Sequence, residues 1–274
     1  MSPPGRPKGE YRSAQHGGNT VSRWVVRGIR TGIKSTVYPS AAERAAGVTP
    51  GLPAGGEFGA DAGALVRRCL THALDQTDGK ISVDRHRCVH CYRCIRGVER
   101  PRDWETAYEW AVEGRGPAVH NRFGQPFRRS IHVLVVDAGD CGACLNEVKQ
   151  LNNPYYNMHR LGFFITPTPR HADVLLVVGP VTEHMRFALT KIHDAMPTPK
   201  RVVAVGACAL SGGVFADSFV CARGVAEVLP VDVEVPGNPP PPLAILHGLL
   251  VAVGRTPPAA GSPASATTAM TVEK

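Results

Sequence analysis

Eight cysteines supply the reactive side chains of this sequence, and their spacing is uneven. Cys88, Cys91 and Cys94 recur at every third position within Asp84-Arg-His-Arg-Cys88-Val-His-Cys91-Tyr-Arg-Cys94. Three thiolates so spaced in a tight loop can each take a different iron of one cubane cluster, leaving the fourth iron to a ligand from elsewhere. Cys69, upstream across a turn and a strand, can supply it. The competing chemistry is zinc on the same triad with His86 or His90, although structural zinc favours two separated pairs of ligands. His72, His86 and His90 otherwise read as surface residues. Cys141 and Cys144 form a second pair, Cys208 stands in Gly206-Ala-Cys208, and Cys221 reads as a small buried apolar residue. With no apolar leader after Met1-Ser-Pro-Pro-Gly, eight cysteines point to metal or redox chemistry in a reducing compartment rather than to disulfides.

The elements that must position these residues are legible from hydropathy. Ile131–Val136, Ala172–Val178, Arg201–Val205 and Val231–Val235 are short apolar, β-branched runs, each stopping at a glycine loop and separated by stretches long enough for a helix. That pattern predicts a parallel sheet with helices on both faces. Ligands of such sheets sit beyond the carboxyl ends of the strands, where the loops carrying Cys141, Cys144 and Cys208 lie. Upstream, Ala62–Leu74 reads as a short helix running into Cys69, followed by a turn at Thr77-Asp-Gly-Lys80 and a strand at Ile81–Val83. The segment 23–39, with apolar and basic residues interleaved, reads as an extended arm. Trp104, Tyr108 and Trp110 recur at roughly helical spacing and read as packing between two domains. The expected organisation is a disordered tail over 1–22, an arm over 23–60, a small single-cluster domain over 61–129, an α/β domain over 130–255 and a disordered tail over 256–274.

Charge and motif content exclude several functions. Lys and Arg outnumber Asp and Glu by 21 to 12 in residues 1–130 and stand at 10 to 11 in residues 131–274, so the net charge of +8 is N-terminal. A basic half fits a nucleic acid or an acidic protein face, but no recognition helix or aromatic-basic platform stands out, and nucleic acid is not the expected partner. No stretch approaches the ~20 apolar residues of a membrane span. Walker, dinucleotide-binding, nucleophile-elbow and zinc-protease motifs are missing, so the chemistry lies with the cysteines.

Two resemblances sharpen this. Cys69-Leu-Thr-His-Ala-Leu74, followed by Val83-Asp-x-x-x-Cys-x-x-Cys-x-x-Cys94, resembles the central part of a bacterial-type ferredoxin and implies one [4Fe–4S] cluster on Cys69, Cys88, Cys91 and Cys94. Leu70 stands where that family has proline, and Val98 and Glu99 stand where a complete motif has Cys-Pro, so a second cubane in this domain is not implied. The second half resembles the 20 kDa cluster-bearing subunit that NADH:quinone oxidoreductase shares with the small subunits of membrane-linked [NiFe]-hydrogenases and formate hydrogenlyase. Cys141-Gly-Ala-Cys144-Leu-Asn-Glu147, Asn153-Pro-Tyr-Tyr-Asn157, Thr168-Pro-Arg-His-Ala-Asp173, Gly179-Pro-Val-Thr182, Gly206-Ala-Cys208-Ala-Leu-Ser-Gly-Gly213 and Val235-Pro-Gly-Asn-Pro-Pro240 carry it, and the Cys-x-x-Cys spacing is that of the hydrogenase branch. It implies a flavodoxin-like domain with a second iron–sulfur cluster on Cys141, Cys144 and Cys208.

Where the family has its fourth cysteine this sequence has Asn238, a poor substitute because soft sulfur suits the cluster. A three-cysteine [4Fe–4S] cluster, a [3Fe–4S] cluster, capture of Cys221 and no cluster all remain open. Glu147, one helical turn past Cys144, is implied in a proton path or partner contact, against the plain reading of an acid near a helix N-terminus. Arg170 and Asp173 read as an interface or structural pair. The expected function is that of an iron–sulfur electron-transfer subunit in a multi-subunit oxidoreductase, relaying between a soluble donor or acceptor and a large catalytic subunit. Its expected location is cytoplasmic, peripheral on the inner face of a membrane through partner subunits. The alternative is a non-catalytic assembly or redox-sensing module that has lost the second cluster.

Overall fold

The computed structural model describes residues 23–43, 45, 47–57, 62–96, 104–114, 123, 130–139, 141–216 and 218–259. The expected N-terminal tail, residues 260–274 of the expected C-terminal tail, Val98, Glu99 and most of the polar stretch between 115 and 129 lie outside these. The chain divides into two compact units, Met1–Lys34 and Ser35–Lys274. In the first the structure holds helix α1 (Arg23–Thr31), where the sequence reading expected an extended arm. Interleaving was the wrong period: Arg23, Arg27 and Arg30 share one helical stripe and Trp24, Val25, Val26 and Ile29 occupy the rest.

In the second unit β1 (Leu52–Pro53) and β2 (Gly56–Glu57) precede α2 (Ala62–Arg68), β3 (Leu74–Thr77) and β4 (Lys80–Val83). β3 and β4 form the expected hairpin, with Asp78 and Gly79 at positive φ in its turn, and β2 completes a three-stranded sheet. The helix stops at Arg68, short of the expected Leu74, so Cys69 stands free of it. Leu65, Leu74, Ile81 and Val83 form a small core with Cys69 and Cys94 packed against it.

β5 (Trp104–Glu105) and β6 (Val112–Glu113) stand where Trp104, Tyr108 and Trp110 recur at roughly helical spacing. Long-range partners override the helical period there. β5 pairs with β1, the Trp104 ring stacks on Tyr92 at 5.0 Å, Tyr108 meets Tyr38 edge-on at 5.3 Å, and Trp110 is buried in the main core.

The main sheet contains β7 (Ile131–Asp137), β8 (Phe163–Ile165), β9 (Val174–Val178), β10 (Arg201–Val205) and β11 (Val233–Val235), in the order β8-β7-β9-β10-β11-β6. All neighbours are parallel except β6, which runs antiparallel on the β11 edge. Counted from β7, the five parallel strands lie 2-1-3-4-5, the flavodoxin-like arrangement. Alternate residues serve opposite faces. Val133, Leu176, Val203 and Val233 pack with α3 (Ala143–Gln150) and α6 (Pro242–Ala252), whereas Leu134, Leu175, Val177 and Val202 pack with Leu189 of α4 (Glu183–Ala195). Both faces are covered, so the strands read as continuous apolar runs rather than alternating ones.

Two expected strands begin later than the hydropathy suggested. Asp173 accepts the N–H of His132 at 2.8 Å and Asp232 that of Val202 at 2.7 Å, so each carboxylate caps a neighbouring strand instead of extending its own. Asp173 also pairs with His132 at 3.7 Å, not with Arg170.

Every residue of α6 is buried. Its leucines and isoleucine contribute on the order of 10 kcal/mol of gross burial, before conformational entropy is set against it. Gly248 lets the helix close on β11, since a Cβ there would lie 2.4 Å from Val235 Cγ2. The one polar side chain of α6, His247, accepts the Ala111 N–H at Nδ1 (3.2 Å) and so donates from Nε2 to Pro257 O (3.1 Å). Residues 256–259, expected in a disordered tail, are thereby held against the domain, and Ala259 N–H donates to Ala111 O. Burial pushes the His247 pKa down. The stability its neutral form supports is present above the unfolded value of about 6.5 and is lost as pH falls towards the depressed folded value. Denaturant unfolding at pH 7 and pH 5 is expected to show a larger acid loss in the wild type than in His247→Gln, which cannot take up a proton.

Candidate metal centres

Cys69 leaves α2 directly into a turn, and the β3–β4 hairpin brings the chain back beside it, with Asp84 N–H donating to Ala73 O at 2.8 Å. Cys69 Sγ accepts the Ala73 N–H at 3.2 Å, and the His90 N–H donates to Cys88. His72, His90 and Tyr92 hold positive φ (50°, 50° and 60°). Left-handed backbone at non-glycine residues costs on the order of 1–3 kcal/mol each, yet three such residues cluster in this one loop system. Left-handed residues of this kind turn nearby N–H groups towards a concavity that suits anions, among them the net-negative assembly of an iron–sulfur core with its thiolates. Burial pushes the Cys88 thiol up to about 12, with Cys94, Cys69 and Cys91 adding like-charge repulsion, so the four sulfurs form one group. A bound cationic cluster would remove that penalty by replacing the protons. The donor set and the N–H concavity fit a [4Fe–4S] cluster.

His72 is exposed as the sequence suggested, but the other two histidines are not simple surface residues. His90 is buried beside Trp104, its ring pKa pushed down to about 4 by desolvation, and His86 pairs with Glu234 at 3.2 Å. Among the described residues, no three His, Cys, Asp or Glu groups converge on a single ion-sized point.

The second group lies at the carboxyl ends of the main strands. Gly142, at φ 92°, caps α3 and delivers Cys144 buried in its first turn, while Cys141 stays exposed at the lip. Cys208 is buried in α5 (Ala207–Ser211). Gly206 N–H donates to Val235 O (2.9 Å) and Ala207 N–H to Gly237 O (2.8 Å), lacing the Cys208 turn to the Asn238 turn. Glycines make room for sulfur on both sides: a Cβ on Gly206 would sit 2.6 Å from Cys144 Sγ, and one on Gly213 would sit 2.8 Å from Cys208 Sγ. Cys144, Cys208 and the Gly237-Asn238 turn are thus brought together.

Asn238 is half-buried and its side-chain amide donates to Val89 O at 3.1 Å, a carbonyl inside the Cys88–Cys94 loop. Ser211 Oγ donates to His86 O at 2.9 Å, and the Glu234–His86 pair completes a three-point contact between the two cysteine groups. Cys221 is half-buried rather than buried, its backbone bridged to Thr182.

Glu147, a turn beyond Cys144, is half-buried and its carboxyl pKa is raised by that burial. It adds to the rise at Tyr156, where desolvation dominates and Glu43 also acts. Glu43 in turn takes a hydrogen bond from Tyr155, and its own N–H donates to Tyr108 OH at 2.6 Å. The tyrosine pair was visible as a motif, but Glu43 was not, because nothing local to it signals a partner so distant in the chain.

A flavodoxin-like sheet with thiols gathered at its strand ends, abutted by a further group of four cysteines, defines a cysteine-rich class of α/β protein. Residues 141–252 match the family model of the NADH ubiquinone oxidoreductase, 20 Kd subunit. The chain is 47% identical over 123 residues to an uncharacterized protein of Methanocaldococcus jannaschii, covering 45% of this chain and 82% of that one. It is 40% identical over 141 residues to the probable membrane-bound hydrogenase subunit mbhJ of Pyrococcus furiosus (48% of this chain, 84% of the relative). Formate hydrogenlyase subunit 7 of Escherichia coli is 40% identical over 127 residues, which span 46% of this chain and only 50% of that relative. The chain belongs to the NADH ubiquinone oxidoreductase 20 Kd subunit family.

Gly206→Ala tests the packing of the second site, since it combines a positive φ of 93° with a close approach to Cys144 Sγ. It is expected to lower unfolding stability by roughly 1–3 kcal/mol, read from the denaturant midpoint; an unchanged midpoint would show that the Cys144 thiol does not rest on this glycine.

Proposed function

We propose that the chain is an iron–sulfur electron-transfer subunit of a multi-subunit oxidoreductase of the hydrogenase or NADH:quinone oxidoreductase kind. Cys69, Cys88, Cys91 and Cys94 would hold a [4Fe–4S] cluster, and Cys141, Cys144 and Cys208 a second cluster lacking its usual fourth thiolate. Such groups supply one-electron carrier chemistry when bound. The observation that carries the reading is the three-point contact of Asn238, Ser211 and Glu234 with the Val89 and His86 stretch, which makes the two cysteine groups neighbours within one unit.

The protein's own residues serve this role in several ways. The Ala73 and His90 N–H groups moderate charge on Cys69 and Cys88. Tyr92, His90 and Trp104 pack their rings together and brace the first loop. Glu147, with its raised pKa, is suited to hold a proton beside Cys144. Electrons would pass between a soluble donor or acceptor at the basic N-terminal side and a large catalytic subunit facing the second site. Other subunits of the complex would bring it to the inner face of a membrane; no described helix is long and apolar enough to cross one.

One observation favours a second reading, an assembly or redox-sensing module with an empty second site: the Asn238 amide is committed to Val89 O. Iron and acid-labile sulfide per chain, measured on anaerobically purified protein, separate the two. A relay is expected to hold about eight irons, falling to about four in Cys91→Ser and to about four in Cys144→Ser. A wild type with about four irons that is indifferent to Cys144→Ser would establish the second reading and end the relay proposal for that site.

A further inference from the structure

The helix α1 carries no cysteine, and its side chains are sorted with unusual strictness. Arg23, Arg27 and Arg30 follow one another at helical spacing and fall on a single narrow stripe. Trp24, Val25, Val26, Gly28 and Ile29 fill the opposite side, spanning about 200° of arc at 100° per residue. None of these residues is buried, and Trp24 and Ile29 are 75% and 76% exposed. Gly32, at φ 66°, ends the helix, its N–H donating to Gly28 O at 3.0 Å, and the exposed Ile33 and Lys34 follow. From Tyr11 to Ala42 the sequence holds Arg12, Arg23, Arg27, Arg30 and Lys34 and not one Asp or Glu.

We propose that α1 binds directly to an anionic lipid surface, lying in its plane with the Trp24–Ile29 face in the headgroup region and the arginines towards lipid phosphates. Three features select lipid over a protein groove. The apolar arc is broad, whereas groove-bound helices use a narrow line of anchors. Trp24 sits at the edge of that arc, where an indole meets both acyl chain and water. The cationic stripe is unrelieved by any acid, the pattern of a basic interfacial helix. At nine residues, with Gly28 inside, the helix is too short to be firm in water alone, so an interface that covers the apolar face also stabilises the fold of the segment. Attachment of this kind needs no partner subunit and goes beyond the relay function, on which it does not depend.

Co-sedimentation of the full chain with vesicles tests this, comparing pure phosphatidylcholine with mixtures containing roughly one third phosphatidylglycerol. The wild type is expected to bind the anionic vesicles at least tenfold more tightly than the neutral ones and to release them in 1 M salt. Trp24→Gln with Ile29→Gln should weaken binding at least tenfold, and Arg27→Gln with Arg30→Gln should remove the preference for anionic lipid. Iron per chain should stay unchanged in both variants, which separates loss of the helix contact from loss of the clusters. Failure of the wild type to sediment with anionic vesicles, or variants that sediment as it does, overturns the proposal. So does a chain that ignores vesicles but loses an acidic partner protein when Trp24 and Ile29 are replaced.

Discussion

The second cysteine group, and its contact with the first, depend on the two amide hydrogen bonds that lace the Gly206-Ala207 turn to Val235 and Gly237. Parallel neighbours β10 and β11 deliver these turns side by side, and the bonds set where Cys208 begins α5 and where Asn238 leaves the sheet. Gly206 has to lack a side chain because Cys144 Sγ comes up against it from the loop after β7. A sheet order that places β7 and β10 on either side of β9 therefore suffices to bring thiols together from loops far apart in sequence.

From the same turn the chain reaches outwards. Asn238 stands where related sequences were expected to have a cluster thiolate, and its amide instead joins the second site to the Val89 carbonyl of the four-cysteine loop. At this position the chain has a hydrogen bond between the two cysteine groups. Ser211 and Glu234 reinforce the same seam, Glu234 from a buried position where an unpaired carboxylate would be costly and where His86 supplies its partner.

The parts of the fold legible in the sequence were those with a strong local period or a fixed spacing. The four apolar runs became β7, β9, β10 and β11 because both faces of the sheet are covered, and the cysteine triad announced its loop through spacing alone. The edges were not legible. β8 is three residues long and β6 two, too short to show a period, and each is defined by its backbone pairing with a neighbour. Trp104, Tyr108 and Trp110 imitated a helix because their spacing was read without the partners that claim each ring: Tyr92, Tyr38 and the main core. The seam from Asn238 to Val89 had no sequence signal, since its residues stand far apart in the chain and carry no special chemistry of their own.

In the proposed relay two redox centres sit close together in one chain across the seam of Asn238, Ser211 and Glu234. Low-temperature EPR of the dithionite-reduced wild type measures this most directly, because neighbouring paramagnetic clusters broaden and split one another's signals. Two mutually interacting signals are expected in the reduced protein. A single, unsplit signal at full reduction would contradict the proposed relay.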